Sequence, residues 1–198
     1  MEILGPISED EMVACFLAGE LTSARFGNGV RAALAQTGRS EALLTEPDLC
    51  DKAANRVRRG LLAVTRGYGE DRELFEHFPS RVRWIRARLT GPELAEVRYI
   101  DYSYWIEITG GTRRPLDAAR RIREGVRAWE IPNDRFLEAA AALARGTRFA
   151  PLILAGTDDH ALVCLEGHQR LTAYALNGFV DPVECLIATA STMARWAN

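Results

Sequence analysis

A chain of 198 residues with a net charge of −2 and 47% hydrophobic content is long enough for one large domain or two small ones with an ample core. No apolar run approaches the roughly 18–20 residues of a bilayer span, so no membrane partner is expected, and the charge balance argues against a dedicated nucleic-acid binder. The acidic start MEILGPISEDEM lacks the basic n-region of a secretory signal, so cytoplasmic residence is the expectation.

In chain order, residues 1–92 read as an all-helical N-terminal domain or lid. Ser8 followed by Glu11 is a capping pattern ahead of MVACFLAGEL. GNGVRAALAQTG predicts a second helix closed by Gly38. PDLCDKAANRVRRGLLAVTRGYG predicts a third, with Pro47 in its first turn and Gly67 and Gly69 stopping it. EDRELFEHF reads as a short fourth helix. RVRWIRARL reads as a fifth, because Val82, Ile85 and Leu89 would share one face. Gly91-Pro92 is the candidate boundary.

Residues 93–198 have a different grammar. VRYIDYSYWIEIT is rich in aromatic and β-branched residues and predicts a strand or hairpin. Pro115 opens a helix over LDAARRIREGVRAW, and Asn133 or Asp134 can cap another over NDRFLEAAAALARG. PLILAG and ALVCLEG predict a strand pair around a turn at Thr157–Asp159. QRLTAYALNG predicts a helix closed by Gly178, PVECLIA a strand, and STMARW a last short helix. The fold class expected is α+β, with a small mixed sheet and flanking helices.

Cys15, Cys50, Cys164 and Cys185 are scattered without a CxxC pair, so no structural zinc site is expected. Cys164 and Cys185 lie in apolar runs and read as core thiols. Basic residues concentrate in two stretches: ten Lys/Arg against four acids over Lys52–Leu89, and six Arg against two acids over Arg113–Arg127. These are either solvated helix faces or phosphate contacts. Tyr99, Tyr102, Tyr104 and Trp105 either stack a base or pack a half-buried strand, and packing is favoured. Trp84, Trp129 and Trp196 read as core or interdomain packing.

Two stretches carry the chemistry. In LEGHQRL, Gly167 stands where a strand hands over to a helix, so the following N–H groups and the helix dipole make a site suited to phosphate. His168 can move a proton near neutral pH, Arg170 can fork onto phosphate oxygens, and Glu166 can hold a metal or accept a proton. The plainer alternative is a tight turn with solvated polar side chains. In EITGGTRRPL, Glu107 ends an expected strand, and Thr112, Arg113 and Arg114 lead from a glycine turn into a helix. That too is either an anion site or only a turn.

Taken together, an Arg-Pro-Leu helix start followed about fifty residues later by strand, Glu-Gly-His-Gln-Arg, helix and closing strand resembles the ParB/sulfiredoxin-like fold over residues 96–198. The loop EGHQR is closest to the pattern of the family's free-serine kinases. His168 stands where a sulfiredoxin has its cysteine, which turns the motif away from sulfur chemistry. The arginine doublet of ParB proteins is missing from the loop, and a ParB-type partition protein with a following helix-turn-helix domain is not expected. The resemblance implies a nucleotide-dependent phosphotransferase that uses ATP or ADP with Mg²⁺, CTP being the other candidate, and acts on a small hydroxyl compound. In that reading Gly167, His168, Gln169, Arg170, Thr112, Arg113 and Arg114 bind nucleotide. Glu166 holds Mg²⁺ or positions the acceptor, and Glu107 or Asp101 is the base. The alternatives are a nucleotide-responsive DNA-binding regulator contacting phosphates through Arg81–Arg88 and Arg113–Arg127, and a nuclease with Glu166, Glu107 and Asp101 as metal ligands. Nucleic acid is therefore the less favoured partner.

Overall fold

The computed structural model describes residues 1–156 and 162–193. The turn expected at Thr157–Asp159, Trp196 and most of the last expected helix lie outside them; Ser191–Met193, at that helix's start, form a turn. Two compact units share the chain, Pro6–Trp84 on one hand and Met1–Gly5 with Ile85–Asn198 on the other.

The Pro6–Trp84 unit is built from α1 (Glu9–Leu21), α2 (Gly27–Gln36), α3 (Ala42–Thr45) and α4 (Lys52–Arg66), followed by a 3₁₀ turn at Glu73–Phe75. Ser8 accepts the Glu11 N–H at 3.1 Å and starts α1 as its spacing predicts. Met12, Phe16, Leu17, Leu34, Leu61 and Leu62 are buried at the centre. Pro47 does not open the third helix. Asp51 does, accepting the Ala53 and Ala54 N–H groups at 2.8 and 3.0 Å. The segment before it is drawn inward by buried Arg58, which donates to the Leu43 and Asp48 carbonyls at 3.0 and 2.7 Å. The fourth expected helix is only the 3₁₀ turn. Asp71, Glu73 and His77 all take positive φ, which no α-helix accommodates.

The other unit holds β1 (Glu2–Pro6), β2 (Arg83–Leu89), α5 (Gly91–Glu96), β3 (Arg98–Tyr99), α6 (Ser103–Thr109), α7 (Pro115–Arg123), α8 (Asp134–Ala144), β4 (Leu152–Gly156), β5 (Val163–Glu166), α9 (His168–Leu176) and β6 (Val183–Thr189). β1 ends, and β2 begins, across the dividing points of the chain. The sheet runs β1-β2-β6-β4-β5-β3. β4 is parallel to β6 and antiparallel to β5, and β5 is parallel to β3. The class is α+β with a mixed sheet. Its core joins Leu152, Leu154, Cys164, Cys185 and Ile187 of the sheet to Ile108, Ala119, Ile122, Phe136 and Leu171 of the helices.

Three segments correct the sequence reading. The chain's first residues form a strand, β1, so the N-terminal region is not wholly helical. RVRWIRARL is not a helix but supplies β2. Ile85, Ala87 and Leu89 alternate into the core, while Arg86 meets Glu184 of β6 and Arg88 meets Glu2 of β1 at 3.5 Å. VRYIDYSYWIEIT is not a hairpin: after two residues of β3 it turns into α6. Tyr104, Trp105 and Ile108 bury one helical face, and Gly110 ends the helix at φ +68°. Asn133 precedes α8 without capping it through its side chain, which instead donates to the Val126 carbonyl at 2.7 Å.

Candidate functional site

The expected strand–loop–helix corner is present: β5 ends at Glu166, Gly167 is the N-cap residue, and α9 begins at His168. Gly167 has φ +97°, and a Cβ there would stand 2.7 Å from Leu152 Cδ2 and about 3.0 Å from the Arg170 guanidinium. Glycine is thus required by the left-handed turn and by the packing behind it. No side chain caps α9, and its first internal bond runs from the Leu171 N–H to the Gly167 carbonyl at 2.8 Å. The N–H groups of His168, Gln169 and Arg170 therefore precede the helix's own bonding ladder, where the dipole favours an anion.

The side chains of this corner are engaged with one another. Glu166 accepts from the Gly167 N–H and pairs with Arg170 Nη2 at 2.9 Å. Arg170 Nη1 donates to the Ala150 and Pro151 carbonyls at 2.8 and 3.0 Å, tying α9 to the start of β4. Arg170 is thereby a corner brace as well as a positive charge. Gln169 donates to the Arg135 carbonyl at 2.9 Å, holding α8 against the turn. The His168 ring stacks on Trp105 with centroids 5.2 Å apart, and Trp105 stacks on Tyr99 at 4.2 Å. Tyr99 donates to Thr172, whose own hydroxyl is spent on the His168 carbonyl, so the stack is fixed from below. Burial pushes the Tyr99 phenol and the Cys164 thiol up, keeping both neutral.

The second expected stretch forms a separate network. Arg114 pairs with Glu96 at 2.9 Å, and Thr112 donates to Asp117 at 2.7 Å. Arg113 has φ +56°. Its N–H donates to Thr109 Oγ1, its carbonyl accepts the Tyr99 N–H, and its guanidinium lies 3.9 Å from Asp101. Glu107, expected at a strand end, lies on α6 and accepts the backbone N–H of Trp129 at 3.0 Å. Because β3 and β5 run parallel, with Tyr99 opposite Cys164, their C-terminal ends bring Asp101 and Glu166 to the same border of the sheet.

Trp129, expected to pack in the core or between domains, is 46% exposed. Its ring meets Tyr102 at 5.4 Å and Tyr104 at 5.6 Å, both edge to face. Tyr99, Tyr104, Trp105 and Trp84 are buried and Tyr102 is half-buried, so these aromatics pack, although Tyr104 and Trp105 do so from helix α6 and not from the expected strand.

Among the described residues, no three His, Cys, Asp or Glu side chains converge to hold a metal ion, and no helix is long and apolar enough to cross a membrane. The arginines of 113–127 are largely committed. Arg114 and Arg120 meet carboxylates, while Arg121 and Arg123 donate to the Ile108 and Leu176 carbonyls. In the Pro6–Trp84 unit a cavity of about 400 Å³ between α2 and α4 is lined by none of the expected site residues. Compared with known proteins, the chain matches no family model, no curated protein and no solved structure.

Proposed function

We propose that the chain is a nucleotide-dependent phosphotransferase for a small hydroxyl compound, the reading implied by its resemblance to the ParB/sulfiredoxin-like fold. The observation that supports it is the uncapped N-terminus of α9, set directly behind β5 at the border that also receives Asp101. Phosphate oxygens of ATP or ADP, or of CTP, would take the N–H groups of His168, Gln169 and Arg170, with the Arg170 charge behind them. Asp101, whose carboxylate is mostly exposed, is the group free to take the acceptor's hydroxyl proton. As the new oxygen–phosphorus bond forms, the bond from that phosphorus to the bridging oxygen breaks, and the nucleotide leaves one phosphate shorter. Arg114, exposed and paired with Glu96, can turn to the developing charge.

Mg²⁺ commonly needs only one or two carboxylates beside the nucleotide's own phosphates, and Glu166 would fill that role by exchanging its Arg170 partner for the ion. Bound there it would neutralise phosphate charge. Glu107 is given no chemical step, because it lies on α6 and not at the β3–β5 border, with its Oε1 accepting the Trp129 N–H.

A thermal-shift series with ATP, ADP and CTP, each with Mg²⁺, tests the reading. A nucleotide at 100 times its dissociation constant stabilises the fold by about 2.7 kcal/mol. Absence of a shift with all three removes the proposal. If one binds, Glu166→Gln should keep binding and lose phosphate transfer, followed by phosphorus NMR; an active variant removes Glu166 from the mechanism.

A further inference from the structure

Trp129 and Glu130 both adopt left-handed backbone, at φ +52° and +56°. Each such non-glycine residue is strained by about 1–3 kcal/mol, and such strain persists only where surrounding contacts hold it. Here the hold is the Glu107 carboxylate, which accepts the Trp129 N–H at 3.0 Å, together with the near-perpendicular ring contacts to Tyr102 and Tyr104. The result keeps a large indole 46% exposed when the adjacent core already buries Tyr104 and Trp105. A tryptophan with nothing to meet gains more by burial.

The indole also lies on a continuous aromatic path to the turn. Trp129 meets Tyr104, Tyr104 meets Trp105 at 5.0 Å, and Trp105 stacks on His168 at 5.2 Å. Those three contacts keep Trp129 within the length of an extended nucleoside triphosphate from the α9 N-terminus. Arg135, whose guanidinium lies 5.4 Å over Tyr104 and whose carbonyl receives Gln169, stitches the same two places together.

We propose that Trp129 is the stacking platform for the base of the nucleotide, a purine, and that Glu107 is its positioning residue rather than a catalytic base. The inference rests on the phosphate reading of the α9 turn and adds the substrate's other end. A two-ring indole offers its fullest overlap to a two-ring base, and stacking needs no hydrogen-bond readout. Glu107 acts by holding the strained backbone that presents the ring.

Titration calorimetry of the full chain with Mg²⁺ and either ATP or inorganic tripolyphosphate separates the two ends. Trp129→Ala should weaken ATP roughly tenfold to a hundredfold, the range of one lost base–aromatic stack, and leave tripolyphosphate unchanged. Trp129→Phe should fall between, and Glu107→Ala should mimic the loss for ATP alone. ATP binding by Trp129→Ala at wild-type affinity overturns the proposal, and so does equal weakening of both ligands. If the wild type binds neither ligand, the phosphate site itself fails and this inference falls with it. If the wild type binds tripolyphosphate as tightly as ATP, only the platform is refuted.

Discussion

Cys164 on β5 and Cys185 on β6 are both buried, and burial pushes the Cys185 thiol up to about 12. In the unfolded chain the same thiols ionise near pH 8.5–9 (approximate values). Between that point and the folded value the unfolded state has released protons that the folded state keeps, so stability falls as pH rises. Denaturant melts from pH 7 to 11 should show a flat region followed by a loss of about 1.4 kcal/mol per pH unit for each thiol. Cys185→Ala should make that slope shallower. At Gly167 the conflict is steric: Gly167→Ala forces a side chain to φ +97° against Leu152. A loss of about 1–3 kcal/mol in a urea titration is expected, and an unchanged midpoint would mean the corner relaxes. Residue chemistry at this corner was legible in the sequence, since glycine, acid and arginine at a strand end advertise themselves. Trp129 was not, because nothing in VRAWEIP announces left-handed backbone; that conformation is set by Glu107, twenty-two positions away.

Among the elements, those predicted well are the ones whose local signals agree with their surroundings. The β4–β5 pair, α9 and β6 carry turn residues at their ends and long apolar runs between them. In β2 the local signals conflict. Ile85 and Leu89 are spaced four apart, as on a helix, yet Ala87 between them completes an alternation that only the sheet can reward. In α6 the conflict is reversed, as aromatic residues that favour strands are drawn into a helix by the core contacts of Trp105 and Ile108. The start of α4 was misplaced because its determinant is Arg58, a buried cation whose terminal nitrogens donate to carbonyls from an earlier segment and to Asn55. Arg58→Met keeps much of the volume but leaves those carbonyls without a donor. It should destabilise the Pro6–Trp84 unit by about 2–4 kcal/mol, read from urea melts followed by helix content; a loss below 1 kcal/mol would mean water replaces the guanidinium.

At the scale of the whole molecule, the clustered arginines of the sequence suggested two very different surfaces, and side-chain partners separate them. Arg58 is buried, Arg59 meets Asp10 at 2.7 Å, Arg66 meets Glu20 at 3.6 Å, and Arg86 and Arg88 face Glu184 and Glu2. Paired in this way, basic residues release few counterions from a duplex. Binding to duplex DNA at low salt should be weak, with a shallow dependence of affinity on salt concentration. A steep dependence, equivalent to six or more phosphates, would restore the DNA-binding reading. The strand order has a further consequence for how the chain is made. β1 and β2 lie on one side of β6, and β4, β5 and β3 on the other, so the two half-sheets touch only through a strand that leaves the ribosome after all of them. Until Val183–Thr189 emerge, the nascent chain carries two unsealed edges, one on β2 and one on β4. Shielding those edges from neighbouring polypeptides during synthesis then falls to chaperones or to speed.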